Sequence, residues 1–249
     1  MTPVLQIENL SKAFGARVLL SNISFGMELG QKVGLIARNG TGKSTLLSII
    51  AGKEPHDTGN ITFRSDLRIA YLEQEPHFAP EQTVLEACFA SQDSLAALVR
   101  DYDRALTDPD HKNLDTLIER MDREDAWNYE LRSKQVLGML KLHDLTKKVA
   151  EMSGGQVKRL ALAATIIAEP DFLIMDEPTN HLDLEMVEWL EAYLRKSNVT
   201  LLMVTHDRYL LDRVCSDIIE IDEQGIFTYK GNYAYYLEKR QERLDARLT

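Results

Sequence analysis

The chain has 249 residues, 44% of them hydrophobic, and a formal net charge of −10. That length holds one large domain or two small ones, and the acidic balance excludes a globally basic nucleic-acid binder while leaving room for a local basic patch. The two cysteines, Cys88 and Cys215, argue against a disulfide framework and suit a reducing compartment.

The opening MTPVLQIENLSKAF has neither a basic nor an apolar leader segment, so no signal peptide is expected. No apolar run nears the roughly 20 residues of a membrane helix, so service to a membrane would need a partner. Val4–Glu8, Ile23–Leu29 and Gln31–Ile36 read as short strands. Lys43–Ala51 follows as a helix, with Leu46, Ile49 and Ile50 on one face and Gly52 as its stop. Ile61–Phe63 and Leu67–Leu72 read as further strands, and Glu81 to Leu140 is helical and charge-rich. Asp171–Met175, Val199–Val204 and Asp217–Ile221 are apolar runs bounded by polar residues, the pattern of buried parallel strands. Val157–Ala168 reads as a helix before them and Leu184–Arg195 as one between them, which predicts an α/β core with a helical insertion.

Between the third strand and the first helix stands LIARNGTGKST, Leu35–Thr45. Strand, A-x-x-x-x-G-K-S, helix is the context of a phosphate loop, in which backbone N–H groups and a helix N-terminus face the anion. Lys43 would reach the β- and γ-phosphates and Ser44 would ligate Mg²⁺. Gly40 and Gly42 stand where the backbone must come close or take positive φ. Ala37 replaces the usual first glycine. Alanine costs about 1–2 kcal/mol in left-handed geometry and almost nothing at negative φ, so the loop requires negative φ there.

Four more stretches carry chemistry. Phe172–Glu177 is an apolar strand ending in two acids: Asp176 is placed for a metal shell, and Glu177 for polarising a water. As a bland alternative they are solvated strand-end acids. Ser153-Gly154-Gly155-Gln156 precedes a helix with capping-box spacing, which alone explains Ser153 and Gln156; the two glycines also leave N–H groups open to an anion. Thr205-His206-Asp207 follows an apolar strand, at the end of the sheet where ligands bind in open α/β folds. Gln74 could reach Mg²⁺ or the attacking water, against a default of surface Gln. Phe14 could stack on adenine, against a default of core Phe.

Together these pieces resemble the ATP-binding cassette (ABC) superfamily. In order they are Phe14, ARNGTGKST (Walker A), Gln74 (Q-loop), SGGQ (signature), LIMDE (Walker B), Leu182-Asp183 (D-loop) and His206 (switch histidine). The departures are Ala37 for glycine and Met152 for the leucine that usually precedes SGGQ; neither removes a functional group. The resemblance implies a RecA-like P-loop NTPase core with an N-terminal antiparallel β-subdomain, an inserted α-helical subdomain, and Mg²⁺-ATP hydrolysis. It implies nucleotide contacts from Phe14, Ala37, Arg38, Asn39, Gly40, Thr41, Gly42, Lys43, Ser44 and Thr45. Ser44, Gln74 and Asp176 would face the metal, and Glu177, His206, Lys43 and Gln74 the reaction. Ser153, Gly154, Gly155 and Gln156 would reach the ATP of an opposite cassette.

The stretches DEPTNHLD, THDRYLLDRVC and YKGNYAYYLEKR are similar to the ABC-F branch. Its members are cytoplasmic, carry two cassettes in one chain, and many act on the ribosome. WNYE (Trp127–Glu130) and the modest insertion look Uup-like. The implied organisation is a core of residues 1–80 and 170–235, a helical subdomain at 81–169 with a short arm at about 91–134, and the start of an interdomain linker helix at 236–249. One Walker A and one signature suggest the N-terminal cassette of a longer protein, needing a second cassette or a homodimer. The partner classes are ribosomal or transfer RNA, DNA in repair or replication, and a transporter's membrane subunit. The arm holds eleven acidic against seven basic residues, which opposes blanket phosphate attraction. Arg100/Arg104, Arg120/Arg123 and Arg240/Arg243/Arg247 nevertheless fall on shared helical faces, either solvated or facing RNA.

Overall fold

Apolar residues recurring along the first 30 residues build an antiparallel ribbon. The computed structural model describes residues 3–37, 42–90, 94–222 and 225–246. β1 (Leu5–Phe14) pairs antiparallel with β2 (Arg17–Met27). β3 (Lys32–Ala37) and α1 (Lys43–Ile50) follow, then β4 (Thr58–Phe63), which joins the free side of β1. Both strands of the ribbon run longer than their sequence pattern suggests. Asn9 and Asn22 take positive φ of 49° each, and the register shifts between Ile7 and Leu10, so alternation breaks where pairing does not.

Two compact units divide the chain. The first holds the segments up to Gln74, Pro170–Asn180 and from Val187 onward; the second holds Glu75–Glu169 and His181–Met186.

In the first unit, β5 (Ile69–Leu72) opens a second sheet. The second unit contributes α2 (Val84–Cys88), α3 (Ser94–Thr107), α4 (Leu114–Arg123), α5 (Trp127–Met139) and α6 (Gly154–Ile167). The chain continues through β6 (Phe172–Asp176), α7 (Leu184–Lys196), β7 (Thr200–Val204), α8 (Arg208–Val214), β8 (Asp217–Asp222), β9 (Gly225–Tyr229) and α9 (Tyr233–Asp245). The second sheet has the order β5-β6-β7-β3-β8-β9. All pairs are parallel except β8–β9. β6 and β7 are buried at every position, as strands covered on both faces must be. Phe172, Ile174, Leu202 and Val204 join Leu46, Leu47, Ile49 and Ile50 of α1 and the ribbon residues Leu5, Ile7 and Met27 in one core.

The second unit is built by helix pairing, α2 with α6, α3 with α4, and α5 with α6. Val99, Met121 and Leu160 are fully buried in it. The Tyr129 hydroxyl donates to the Ile167 carbonyl at 3.1 Å, tying α5 to the end of α6.

Gly34 shows how tightly α8 sits on the central sheet. A Cβ there would lie 2.6 Å from Leu211 Cδ2, 3.0 Å from Ile218 Cδ1 and 3.3 Å from Cys215 Sγ. Gly34→Ala is therefore expected to destabilise the fold by about 1–3 kcal/mol through overpacking, read as a lower denaturant midpoint with unchanged slope. An unchanged midpoint would show that α8 yields freely.

Candidate functional site

β6, β7 and β3 are neighbours and run parallel, so their C-terminal ends share one edge. Asp176 aligns with Val204, and Gly34 with Met203. The residues that follow these strands are Glu177, Thr205-His206 and the loop from Ala37 to Lys43. The three tips singled out in the sequence therefore meet at one place.

Ala37 is the last residue of β3, paired with Ile221, and is absent from the positive-φ residues. The alanine thus sits in extended backbone and costs the loop nothing. Gly42 caps α1 with φ 81° and ψ 26°, where only glycine is unstrained. A Cβ there would also press on Leu19 at 3.3 Å. Arg38, Asn39, Gly40 and Thr41 lie outside the described residues. The Lys43 ammonium donates to the Ala37 carbonyl at 3.1 Å, linking the two ends of the loop. Thr45 is the third residue of α1. The Ser44 hydroxyl donates to Gln74 Oε1 at 3.4 Å.

The two adjacent acids occupy opposite environments. Asp176 is 2% exposed, and among the described residues neither of its buried carboxylate oxygens accepts a well-formed hydrogen bond, the Ser44 hydroxyl being the polar neighbour. Burial pushes its pKa above the usual carboxylate range; Glu177 adds to the effect, while Ser44, Lys43 and His206 oppose it. Glu177 has left the strand with φ 50°, a left-handed backbone that costs about 1–2 kcal/mol in a non-glycine residue. Its N–H still donates to the Val204 carbonyl at 2.8 Å. One carboxylate oxygen accepts the His206 backbone N–H at 3.1 Å, and the other lies 3.3 Å from His206 Nε2. The His206 side chain is 70% exposed, so it can meet a ligand. Its position is fixed by its neighbours: Thr205 Oγ1 accepts the Asp207 N–H at 3.0 Å, and Asp207 caps α8 through the Leu210 N–H at 3.0 Å. The sequence reading missed that capping role, although Asp before an apolar helical run signals it.

Phe14 is 51% exposed, which rules out a core role, and Lys12 Nζ lies 4.9 Å from its ring centroid. Its exposure leaves the ring accessible to a planar ligand beside that ammonium.

In the second unit the signature stretch forms a reciprocal capping box. Ser153 Oγ accepts the Gln156 N–H at 3.2 Å, and Gln156 Oε1 accepts the Ser153 N–H at 2.9 Å. The helix begins at Gly154 rather than Val157, so both glycines lie in its first turn. Neither has positive φ. Among the described residues a Cβ on Gly154 would meet nothing within 4 Å, and one on Gly155 would make ordinary contact with His181 at 3.5 Å. Asp183 accepts the Met186 N–H at 3.0 Å and the Lys141 ammonium at 2.6 Å.

The basic faces expected on the helices are largely committed within the chain. Arg104 pairs with Glu86 at 2.6 Å, Arg120 with Glu124 at 3.3 Å, and Arg100 donates to the Phe89 carbonyl at 3.2 Å. Arg240 and Arg243 each lie 2.8 Å from the Glu220 carboxylate. Arg247 lies outside the described residues.

This arrangement suits a metal–phosphate ligand. No cluster of three His, Cys, Asp or Glu side chains able to hold an ion exists among the described residues. One buried carboxylate, near a serine hydroxyl and a glutamine, instead fits a small cation that takes its other oxygens from a phosphate and water.

Comparison with known proteins gives the family. The sequence profile of the family described as ABC transporter matches residues 20–180. The chain is 44% identical over 248 residues to the uncharacterized ABC transporter ATP-binding protein YfmR of Bacillus subtilis (strain 168), covering 96% of this chain and 39% of that protein. It is 37% identical over 238 residues to the energy-dependent translational throttle protein EttA of Escherichia coli (strain K12), covering 92% and 43%. The chain thus spans less than half the length of these relatives. In fold it is similar to an ATP-binding subunit of an ABC transporter, at a TM-score of 0.71 and 20% identity, covering 91% of this chain and 90% of that one. The chain belongs to the ABC ATPase family, and its fold is that of the ABC core.

The buried charge of Asp176 has a measurable consequence. With its folded-state pKa raised, the folded protein holds that proton more tightly than the unfolded chain. The penalty therefore stands above the raised value and shrinks as pH falls through it. Asp176→Asn removes the charge and is expected to raise Tm at neutral pH, without nucleotide, by about 2–4 °C. A lower Tm would mean the carboxylate is satisfied after all.

Proposed function

We propose, from membership of this family, that the chain hydrolyses Mg²⁺-ATP as the N-terminal cassette of a cytoplasmic, two-cassette ABC-F protein acting on the ribosome. The observation that carries the ATPase reading is the single edge at which Asp176, Glu177, His206 and the Lys43 loop meet. In the proposed mechanism the phosphate loop and the α1 terminus hold the triphosphate, and Phe14 stacks on the base. Lys43 exchanges its Ala37 carbonyl for the β- and γ-phosphate oxygens. Ser44, Asp176 and Gln74 would hold Mg²⁺, which supplies charge neutralisation on the phosphate oxygens. Glu177 takes a proton from water; the water oxygen bonds to the γ-phosphorus, and the bond to the bridging oxygen breaks, leaving ADP and phosphate. His206 and Lys43 stabilise charge on the γ-phosphoryl oxygens. Ser153–Gln156 would grip the γ-phosphate on a second cassette, from the rest of a longer chain or a second copy, so the chain alone would turn over slowly.

Support for the ABC-F branch, and for its Uup-like members, comes from DEPTNHLD, THDRYLLDRVC, YKGNYAYYLEKR and WNYE. The ribosomal reading is supported by identity to a protein named as a translational throttle. No helix among the described residues is long and apolar enough to cross a membrane. The committed arginines of α3, α4 and α9 argue against those guanidinium groups as the main RNA contacts.

Glu177→Gln is expected to keep ATP binding and to lower phosphate release by about 10²-fold or more; normal turnover would remove Glu177 as the base. The same change in the full-length protein should trap it on ribosomes in sedimentation with ATP. Failure to sediment, with binding to branched DNA instead, would replace the ribosomal reading with the DNA one.

A further inference from the structure

The apolar run Asp217–Asp222 contains a glutamate that neither the site nor its chemistry uses. Glu220 is 5% exposed in β8. Its Oε1 accepts from the Tyr236 hydroxyl at 3.3 Å and from Arg240 Nε at 2.8 Å. Its Oε2 accepts from the Tyr229 hydroxyl at 3.2 Å and from Arg243 Nη2 at 2.8 Å. Three of these donors, Tyr236, Arg240 and Arg243, stand at i, i+4 and i+7 of α9, one face of the helix. Arg243 also reaches Asp222 at 3.2 Å and stacks 3.7 Å over the Phe227 ring.

A helix held only to cover the sheet edge would be served as well by apolar side chains, because a buried ion pair is a poor source of net stability. What four converging donors supply is a unique register: α9 cannot slide or roll without stripping a buried carboxylate. The main chain of Glu220 faces the other way in function. It pairs with Ile36, and Ile221 pairs with Ala37, the residue that opens the phosphate loop. One residue therefore joins the helix to the strand pair that presents the loop.

We infer that Glu220 is a positioning residue that braces α9 against β8 and β3, so that docking of α9 and nucleotide affinity at the end of β3 depend on each other. The inference rests on the reading of that loop as the ATP site. By linkage, releasing α9 should weaken nucleotide binding, and nucleotide should shift the opening equilibrium of α9 toward the docked state by the same factor.

The test compares the wild-type chain with Glu220→Gln, which keeps shape and removes charge. Tyr236→Phe, which removes one donor, serves as a milder variant should the first fail to fold. Amide hydrogen exchange without nucleotide is read in α9 and in Val33–Ala37, and affinity for a fluorescent ATP analogue is measured well below Tm. We expect faster exchange in both segments and about tenfold weaker binding for Glu220→Gln, with smaller changes in the same directions for Tyr236→Phe. A merely structural role would lower Tm yet leave affinity unchanged at a temperature where the protein is folded. Faster exchange confined to α9, or unchanged affinity, overturns the brace. If the wild-type chain fails to bind the analogue, the ATP site falls instead, and exchange in Val33–Ala37 alone decides whether α9 is coupled to β3.

Discussion

Parallel pairing of β6, β7 and β3 is the constraint on which the site depends. Neighbouring strands lie about 4.8 Å apart, and parallel ones all end at the same edge. Whatever follows three such strands is delivered to one short line without needing contacts among the functional groups to bring them there. The apolar runs Phe172–Met175 and Thr200–Val204 hold that alignment because both are wholly buried. The precision of the site is thus set by packing, and the polar groups ride on it. Gly34 belongs to the same logic: its missing side chain lets Leu211 and Cys215 close over β3 just before the loop begins.

Within that frame, one step along the chain separates two carboxylates of different character. Asp176, still in the ladder, is buried, with the Ser44 hydroxyl as its polar neighbour among the described residues. Glu177, turned out by a left-handed backbone, is held by the main-chain N–H and ring of His206. A desolvated carboxylate favours an incoming cation, whereas one oriented by two nitrogen partners favours proton transfer at a fixed point. The strain at Glu177 and the desolvation at Asp176 are both unfavourable to folding, and the core beneath offsets them. On the proposed mechanism, local rules broken side by side at one sheet edge mark the place where stability has yielded to chemistry.

The parallel strands and the motif positions were legible because each depends on short-range pattern: an apolar run, then a polar residue at the strand end. What escaped was whatever depended on a partner distant in sequence. β1 was read only to Glu8 because the bulge at Asn9 breaks its alternation, yet pairing with β2 carries it to Phe14. β9 escaped because an edge strand of five residues has little pattern of its own. Helical spacing placed Arg240 and Arg243 on one face but could not say what that face meets. The answer, Glu220, lay hidden in a run that read as plain apolar strand. Phe14 shows the converse: composition favours burial for a phenylalanine, and only the turn of the ribbon exposes it.

The signature stretch is where the chain's own contacts stop explaining its sequence. Ser153 and Gln156 are accounted for by the capping box they close. Gly154 and Gly155 are not. Neither needs a left-handed backbone, neither is crowded among the described residues, and glycine is a weaker helix former than alanine. A residue that weakens its own helix without relieving any strain or overlap in its own unit is best understood through a ligand that must approach the backbone closely. The exposed N–H groups at that terminus are suited to an anion. On the proposed mechanism the anion is a phosphate held by a second cassette, and the two glycines are then the chain's own record that its site is half of a pair.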